Sequence, residues 1–271
     1  MTDQQLEALC TEARTLIAEI VLFLRQQIDT VQKRDIKVKS RNSLVSYVDK
    51  EAERQLVAGL QAILPGSVFL TEEETIAQQG GRWRWIVDPL DGTTNFLHGL
   101  PCYSIAVALQ QNEKTVLGIV HEVAQDEQFY ASRGRGAFCN DRSIQVSSTP
   151  NLADSLIATG FPYYDFSRID DYLALFRTLM TSTRGIRRFG SAAVDLAYVA
   201  CGRFDAFFEH SLHPWDVAAG AFLVKEAGGQ VADFSGSGNY LHGREIVAAS
   251  NALWPAFLTE VQHYLSGPTS V

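Results

Sequence analysis

Residues 88–96 read Asp-Pro-Leu-Asp-Gly-Thr-Thr-Asn-Phe. Two carboxylates stand three residues apart at the end of an apolar run, Trp83-Arg84-Trp85-Ile86-Val87, and Pro89 fixes the turn between them. In such a turn both side chains can converge on one point, and the Leu90 carbonyl can join them. Ligands made only of oxygen suit a hard cation such as Mg2+ rather than a soft one. Gly92, Thr93 and Thr94 add small residues, two hydroxyls and backbone N–H groups; a helix beginning there turns its N-terminus toward an anion. Carboxylates for a cation beside donors for an anion are the parts of a metal-dependent phosphate site. An Asp-Gly step after a strand is also an ordinary turn with a threonine helix cap. The full nine-residue string is far more restrictive than that turn.

Two other segments carry acids at element ends. Glu72, Glu73 and Glu74 follow the apolar run Ser67–Thr71, at a strand mouth where open sheets place ligands. Three successive glutamates also read as a solvated turn. His213-Pro214-Trp215-Asp216-Val217-Ala218-Ala219-Gly220 puts Asp216 at the start of a helix that ends in Glu226-Ala-Gly-Gly229. In isolation Asp216 reads as an N-cap and Trp215 as core. The 6 histidines show no HxxxH spacing, and none is assigned to catalysis. The 4 cysteines form no CxxC pair, which leaves a zinc site unsupported; reduced thiols in a cytoplasmic protein are expected.

These acids need rigid elements to hold them. Leu6, Leu9, Ala13, Leu16, Ile17, Ile20 and Leu24 make one apolar stripe, predicting a helix from about Thr2 to Val31, with Thr2 and Gln5 as a capping box. The stretch from Lys33 to Ser43 reads as a mobile connector or a hairpin. A second helix is predicted from about Asp49 to Leu64, stopped by Pro65-Gly66. From Ser104 to Val146, strand candidates separated by Asn112-Glu113 and Gly134–Gly136 turns read as an antiparallel meander. After about Asn151 strands and helices alternate. The expected class is mixed α/β, an antiparallel sheet first and an α/β half second. No linker separates them, so residues 1–271 read as one unit with subdomains of about 1–150 and 151–271.

Composition agrees with an enzyme-sized globular chain. Of 271 residues, 46% are hydrophobic and 20% charged, which excludes wholesale disorder. There are 31 acids against 23 bases, a formal charge of -8, so a nucleic-acid binder driven by phosphate neutralisation is not expected. The N-terminus lacks the pattern of a secretory signal, and no apolar run reaches the roughly 18 residues of a membrane span.

Together, the string at 88–96, the Glu-Glu pair after a strand and the downstream Trp-Asp-Val-Ala-Ala-Gly resemble the inositol monophosphatase family, over most of the chain. The resemblance implies a layered αβαβα sandwich, usually a homodimer. It implies Mg2+-dependent, lithium-sensitive hydrolysis of a phosphate monoester with two to three ions. By resemblance Glu72, Asp88, the Leu90 carbonyl, Asp91 and Asp216 are metal ligands, and Glu73 orders its loop. Thr93, paired with Asp49, orients the attacking water. Gly92, Thr93 and Thr94 hold phosphate. Gly190, Ser191, Ala192 and Glu209, with Asp91 and Asp216, contact the substrate; Glu209 also reads as a solvated strand end. Two departures are Ser43, where the family usually shows an aspartate, and Thr71, where it commonly shows glycine. Arg184, Arg187 and Arg188 read as a solvated loop before a second-phosphate site. The implied substrate is myo-inositol monophosphate or a similar polyol phosphate. Histidinol phosphate, fructose 1,6-bisphosphate and adenosine 3',5'-bisphosphate are the alternatives within the enzymes. A regulatory binding protein of the same fold is the alternative outside them, since some bacterial relatives are thought to assist transcription complexes.

Overall fold

The computed structural model describes residues 1–28, 30, 37–40, 43–74, 81–162 and 165–266, with the backbone alone at 37–40 and 43–45. Two helices come first, α1 (Asp3–Gln27) and α2 (Tyr47–Ile63), with the antiparallel hairpin β1 (Lys37–Ser40) and β2 (Ser43–Val45) between them. The predicted Thr2–Gln5 capping box is present. Helix α1 ends at Gln27, short of the predicted Val31, and residues 31–36 and 41–42 lie outside those described. Helix α2 starts two residues earlier than predicted. Ser46 caps it, accepting from Val48 N–H while Asp49 accepts from Ser46 N–H, a second capping box that the apolar periodicity alone does not reveal.

The larger sheet takes its strands in chain order: β3 (Val68–Thr71), β4 (Trp83–Asp91), β5 (Ser104–Gln111), β6 (Lys114–Glu122), β7 (Glu127–Ser132), β8 (Ala137–Cys139) and β9 (Arg142–Ile144). It is the predicted meander from β5 onward, with β4 added antiparallel to β5 and β3 parallel to β4. Asn112 and Glu113 both have positive φ, 49° and 65°, as a two-residue hairpin turn demands. Alternation sorts the faces. Trp85, Val87, Ile105, Val107, Leu109, Leu117 and Ile119 pack beneath α1 and α2. Ile86, Ala106, Ala108, Val120 and Ala131 face the other way, against α5 (Ala192–Ala200) and α6 (Pro214–Glu226).

That inner face is built of small residues because α6 rides on the strand backbone. A Cβ at Gly118 would stand 2.8 Å from the Ala219 carbonyl oxygen, and one at Gly220 would stand 2.5 Å from Leu196 Cβ on α5. The far side of α5 and α6 meets a second sheet: β10 (Leu156–Thr159), β11 (Gly185–Arg187), β12 (Ala206–His210), β13 (Gly229–Ala232) and β14 (Glu245–Ser250). Its order is β11-β10-β12-β14-β13, parallel through the first three strands and antiparallel beyond. Ile157, Ala206, Phe208, Val247 and Ala249 on its outer face pack against α4 (Ile169–Ser182) and α7 (Trp254–Leu265). The layers therefore run α1/α2, sheet, α5/α6, sheet, α4/α7, the expected αβαβα sandwich. All four cysteines are free thiols, and no helix among the described residues is long and apolar enough to cross a membrane.

Candidate active site

The site forms where β3 and β4 end and α6 begins. Strands β3 and β4 run parallel with Thr71 opposite Val87, and Glu72 N–H extends the pairing to the Val87 carbonyl at 3.3 Å. Glu72 and Asp88 thus leave neighbouring strands side by side. The β4–β5 register shifts between Asp88 and Asp91, a bulge that re-aims the second carboxylate. Asp88 Oδ1 accepts from Leu90 N–H at 2.9 Å. Asp91 Oδ2 accepts from the Ser191 hydroxyl at 2.6 Å and from Ala193 N–H at 2.8 Å, which ties it to the start of α5.

Gly92 then turns the chain with φ of 93°. A Cβ there would also lie 2.9 Å from the Cys102 carbonyl oxygen, so space as well as conformation demands glycine. The following helix, α3 (Thr93–Leu97), is a single short turn. The Thr93 hydroxyl is 3.0 Å from Asp49 Oδ1 and 3.0 Å from the Leu90 carbonyl oxygen, and its one proton serves both acceptors. Asp49 is buried, and its other oxygen accepts from the Ser46 N–H and hydroxyl. The Asn95 amide donates to the Cys102 carbonyl at 2.8 Å and the Phe189 carbonyl at 2.7 Å, drawing the 188–191 segment onto the site.

Asp216 comes from the opposite side. It is not the N-cap of α6; His213 occupies that position, and Asp216 in the first turn accepts from His213 N–H at 2.7 Å. Trp215 is not plain core either. Its ring stacks on the His213 ring, with centroids 4.7 Å apart and planes 7° from parallel, and both line the cavity.

The cavity holds about 120 Å³. Glu72, Asp88, Leu90, Asp91, Gly92, Thr93, Thr94, Gly190, Ser191, Ala192, Glu209 and Asp216 all line it, so every predicted site residue is brought there except Asp49, which stands behind Thr93. Glu73 does not line it; its backbone N–H donates to Glu53 Oε2 at 2.7 Å. Burial raises the Asp88 carboxyl well above the carboxylate range, and the charges of Glu72, Asp91 and Asp216 push it further. Burial likewise pushes Asp91 up to about 6, against the pull of Ser191 and Ala193. Asp216 is raised by burial and by Asp91 and Glu72. These acids repel one another, and burial adds to the cost of ionising them.

Among the described residues, no three Asp, Glu, His or Cys side chains stand in a ready ligating arrangement. Asp88, Asp91 and Asp216 each turn an oxygen onto a protein donor instead. The donor chemistry nevertheless fits a hard divalent cation: carboxylates and a carbonyl, no soft atom, and mutual repulsion that a cation would relieve. Carboxylates that repel one another turn away from their common centre, as Asp88, Asp91 and Asp216 do here.

Two features, one in the cavity wall and one buried in α5, escape the sequence patterns. Arg188 lines the wall, whereas Arg184 pairs on the surface with Asp154 and exposed Arg187 sits in edge strand β11, so the solvated-loop expectation fails for Arg188. Asp195, buried on otherwise apolar α5, has an Oδ1 with no hydrogen-bond partner. Burial raises its carboxyl well above the usual range, with Glu209 and Asp91 adding and Arg188 opposing. A lone acid within Ala-Ala-Val-Asp-Leu-Ala-Tyr-Val-Ala was the available signal.

Comparison with known proteins bears on the same residues. The profile described as the inositol monophosphatase family matches residues 5–266. The chain is 40% identical to a protein of Pseudomonas aeruginosa named Nus factor SuhB, covering 91% of this chain and 92% of that one. It is 43% identical to the inositol-1-monophosphatase of Rhizobium meliloti, covering 88% and 90% respectively. Among solved structures, the extragenic suppressor protein suhB of Bartonella henselae superposes with a TM-score of 0.88 at 38% identity, covering 94% of this chain and 98% of that one.

Proposed function

The chain belongs to the inositol monophosphatase family, and on that premise we propose a Mg2+-dependent phosphomonoesterase that converts myo-inositol monophosphate, or a similar polyol phosphate, into the alcohol and inorganic phosphate. The observation that carries this reading is the meeting of Glu72, Asp88, Asp91 and Asp216 in one cavity with Thr93 and its buried partner Asp49. Glu72, Asp88, the Leu90 carbonyl, Asp91 and Asp216 would hold two to three Mg2+ ions. When bound, such a cation makes water a better nucleophile at neutral pH and stabilises the departing alkoxide.

The chain's own residues do the rest. The Thr93 hydroxyl is fixed by Asp49 and the Leu90 carbonyl, so its free lone pairs hold a water in one orientation. Backbone N–H groups of Gly92 and Thr93, with Thr94 beside them, face the phosphate oxygens; the first N–H groups of a helix have no partner within it. Gly190, Ser191 and Ala192 lie along the alcohol, and Glu209 accepts from its hydroxyls. No protein nucleophile is needed: the water oxygen bonds to phosphorus as the P–O bond to the alcohol breaks, the alcohol oxygen takes up a proton, and inorganic phosphate carries the new oxygen away.

The test is phosphate release from sugar, polyol, amino-alcohol and nucleotide phosphates, with Mg2+ and with chelator. Polyol phosphates are expected to lead and Li+ to inhibit; faster turnover of histidinol phosphate, fructose 1,6-bisphosphate or adenosine 3',5'-bisphosphate would reassign the substrate. A cytoplasmic homodimer is part of the proposal, supported by free thiols and by Leu100 and Leu173 standing exposed at 54% and 51%. Sedimentation at the monomer mass would remove the dimer. A second reading, a protein-binding role like that of the relative named Nus factor, is supported by that 40% identity. It becomes the better reading if no phosphate ester is hydrolysed.

A further inference from the structure

Glu209 lies on β12, one step beyond the Thr159–Phe208 pairing of β10 with β12, so Gly160 is its neighbour across the parallel strands. The Glu209 side chain does not extend past Gly160 but lies over it. A Cβ at position 160 would stand 1.9 Å from the Glu209 carboxyl carbon. Glycine at 160 is not there for its backbone, because its φ lies outside the left-handed region that favours glycine. The segment is held from behind: the Tyr172 hydroxyl donates to the Gly160 carbonyl, and Thr159 Oγ1 donates to the Phe208 carbonyl at 2.7 Å. Across the cavity Arg188 is treated in the same way. Its guanidinium lies over Gly190, where a Cβ would be 2.3 Å from Nη1. Its charge acts on Glu209, Asp195 and Asp91. Both glycines line the cavity, as do Glu209 and Arg188.

We propose that Gly160 and Arg188 are positioning residues for Glu209: Gly160 leaves the space in which the carboxylate lies, and Arg188 holds it there to accept hydroxyls of the alcohol. This makes Arg188 part of polyol recognition rather than a receptor for a second phosphate. Its positive charge already bears on Glu209, Asp195 and Asp91. The inference rests on the phosphatase reading but is separable from it.

The variant Gly160→Ala aims at this contact, since the three atoms nearest the added methyl all belong to the Glu209 carboxyl group. The ratio of kcat/KM for myo-inositol 1-phosphate to that for p-nitrophenyl phosphate is expected to fall about tenfold, the worth of roughly one hydrogen bond. In a Glu209→Ala background the same change should have no further effect on the ratio. Calorimetric binding of myo-inositol 1-phosphate with Ca2+ in place of Mg2+ should weaken by a similar factor in Gly160→Ala. Arg188→Gln should lower the same ratio. An unchanged ratio, or an equal fall with and without Glu209, would overturn the proposal. So would a larger loss toward fructose 1,6-bisphosphate than toward inositol phosphate in Arg188→Gln. If the native protein hydrolyses neither substrate, the phosphatase reading fails and the calorimetric comparison alone decides this one.

Discussion

Asp91 shows how a single residue joins two halves of the site. One of its oxygens holds the Ser191 hydroxyl and Ala193 N–H at the start of α5, while its charge adds to the field on Asp88. Asp91→Asn keeps the size but loses the charge, and its amide nitrogen offers donors where α5 also offers donors. Mg2+-dependent phosphate release is expected to fall about 10³-fold, the scale of several kcal/mol of lost charge stabilisation; release within threefold of native would contradict the ligand assignment. Thr93 makes a different demand. Thr93→Ala should lower kcat roughly 10²-fold by freeing the water it orients, with KM little changed. Thr93→Ser, which keeps the hydroxyl between Asp49 and Leu90, should recover most of it; equal losses in both would remove the hydroxyl from the mechanism. The acids at 72, 88, 91 and 216 were legible because each ends a strand or opens a helix in a fixed string. Asp195 and Arg188 were not, because a lone charge in an apolar helix or an arginine-rich loop says nothing of what lies across the cavity.

The elements that carry these residues were legible to the degree that one face meets water. Helix α1 and the meander declare themselves by stripe and alternation. Helix α6 was legible from its ends, Asp216 near its start and Gly228-Gly229 past its end, and not from a stripe: from Val217 to Val224 every residue is buried, since the helix lies between two sheets, so its sequence carries no polar face. Strands β11 and β13 escaped because three- or four-residue edge strands have too few positions to alternate. The close approach of α6 to β6 through Gly118 was invisible for the same reason, as it depends on what stacks above. It can be tested there. In Gly118→Ala the added methyl meets the Ala219 carbonyl, which is backbone and cannot swing away. Overpacking of this kind costs about 1–3 kcal/mol. Urea unfolding should show that loss, and activity should fall too, because α6 brings Asp216 to the cavity. Native stability in this variant would mean that the sheet and helix can separate freely.

At the scale of the whole molecule, the formal charge of -8 includes five acids gathered in one cavity, Glu72, Asp88, Asp91, Glu209 and Asp216. Burial holds the Asp91 carboxyl near 6 and that of Glu209 up at about 8, with Asp88 and Asp216 also raised. In the unfolded chain such groups titrate near about 4. Between those values the folded state binds more protons than the unfolded one, so stability falls as pH rises. The contribution is fully present below about pH 4 and is lost as pH passes the folded values near 6 and 8. In chelator the melting temperature should therefore drop from about pH 5.5 to about pH 8.5. On the proposed function, Mg2+ would oppose this by binding the ionised acids in the native state alone. At a hundredfold excess over its dissociation constant it adds about 2.7 kcal/mol, which for a chain this size is roughly 5–10 °C. Because protons compete with the cation for the same oxygens, the rise should be larger at the higher pH. Asp91→Asn sharpens the measurement: with one like charge removed, the chelated protein should lose less on going to high pH, and gain less from Mg2+. A melting temperature that rises with pH in chelator, or a Mg2+ effect equal at both pH values, would show that these acids do not share a cation site.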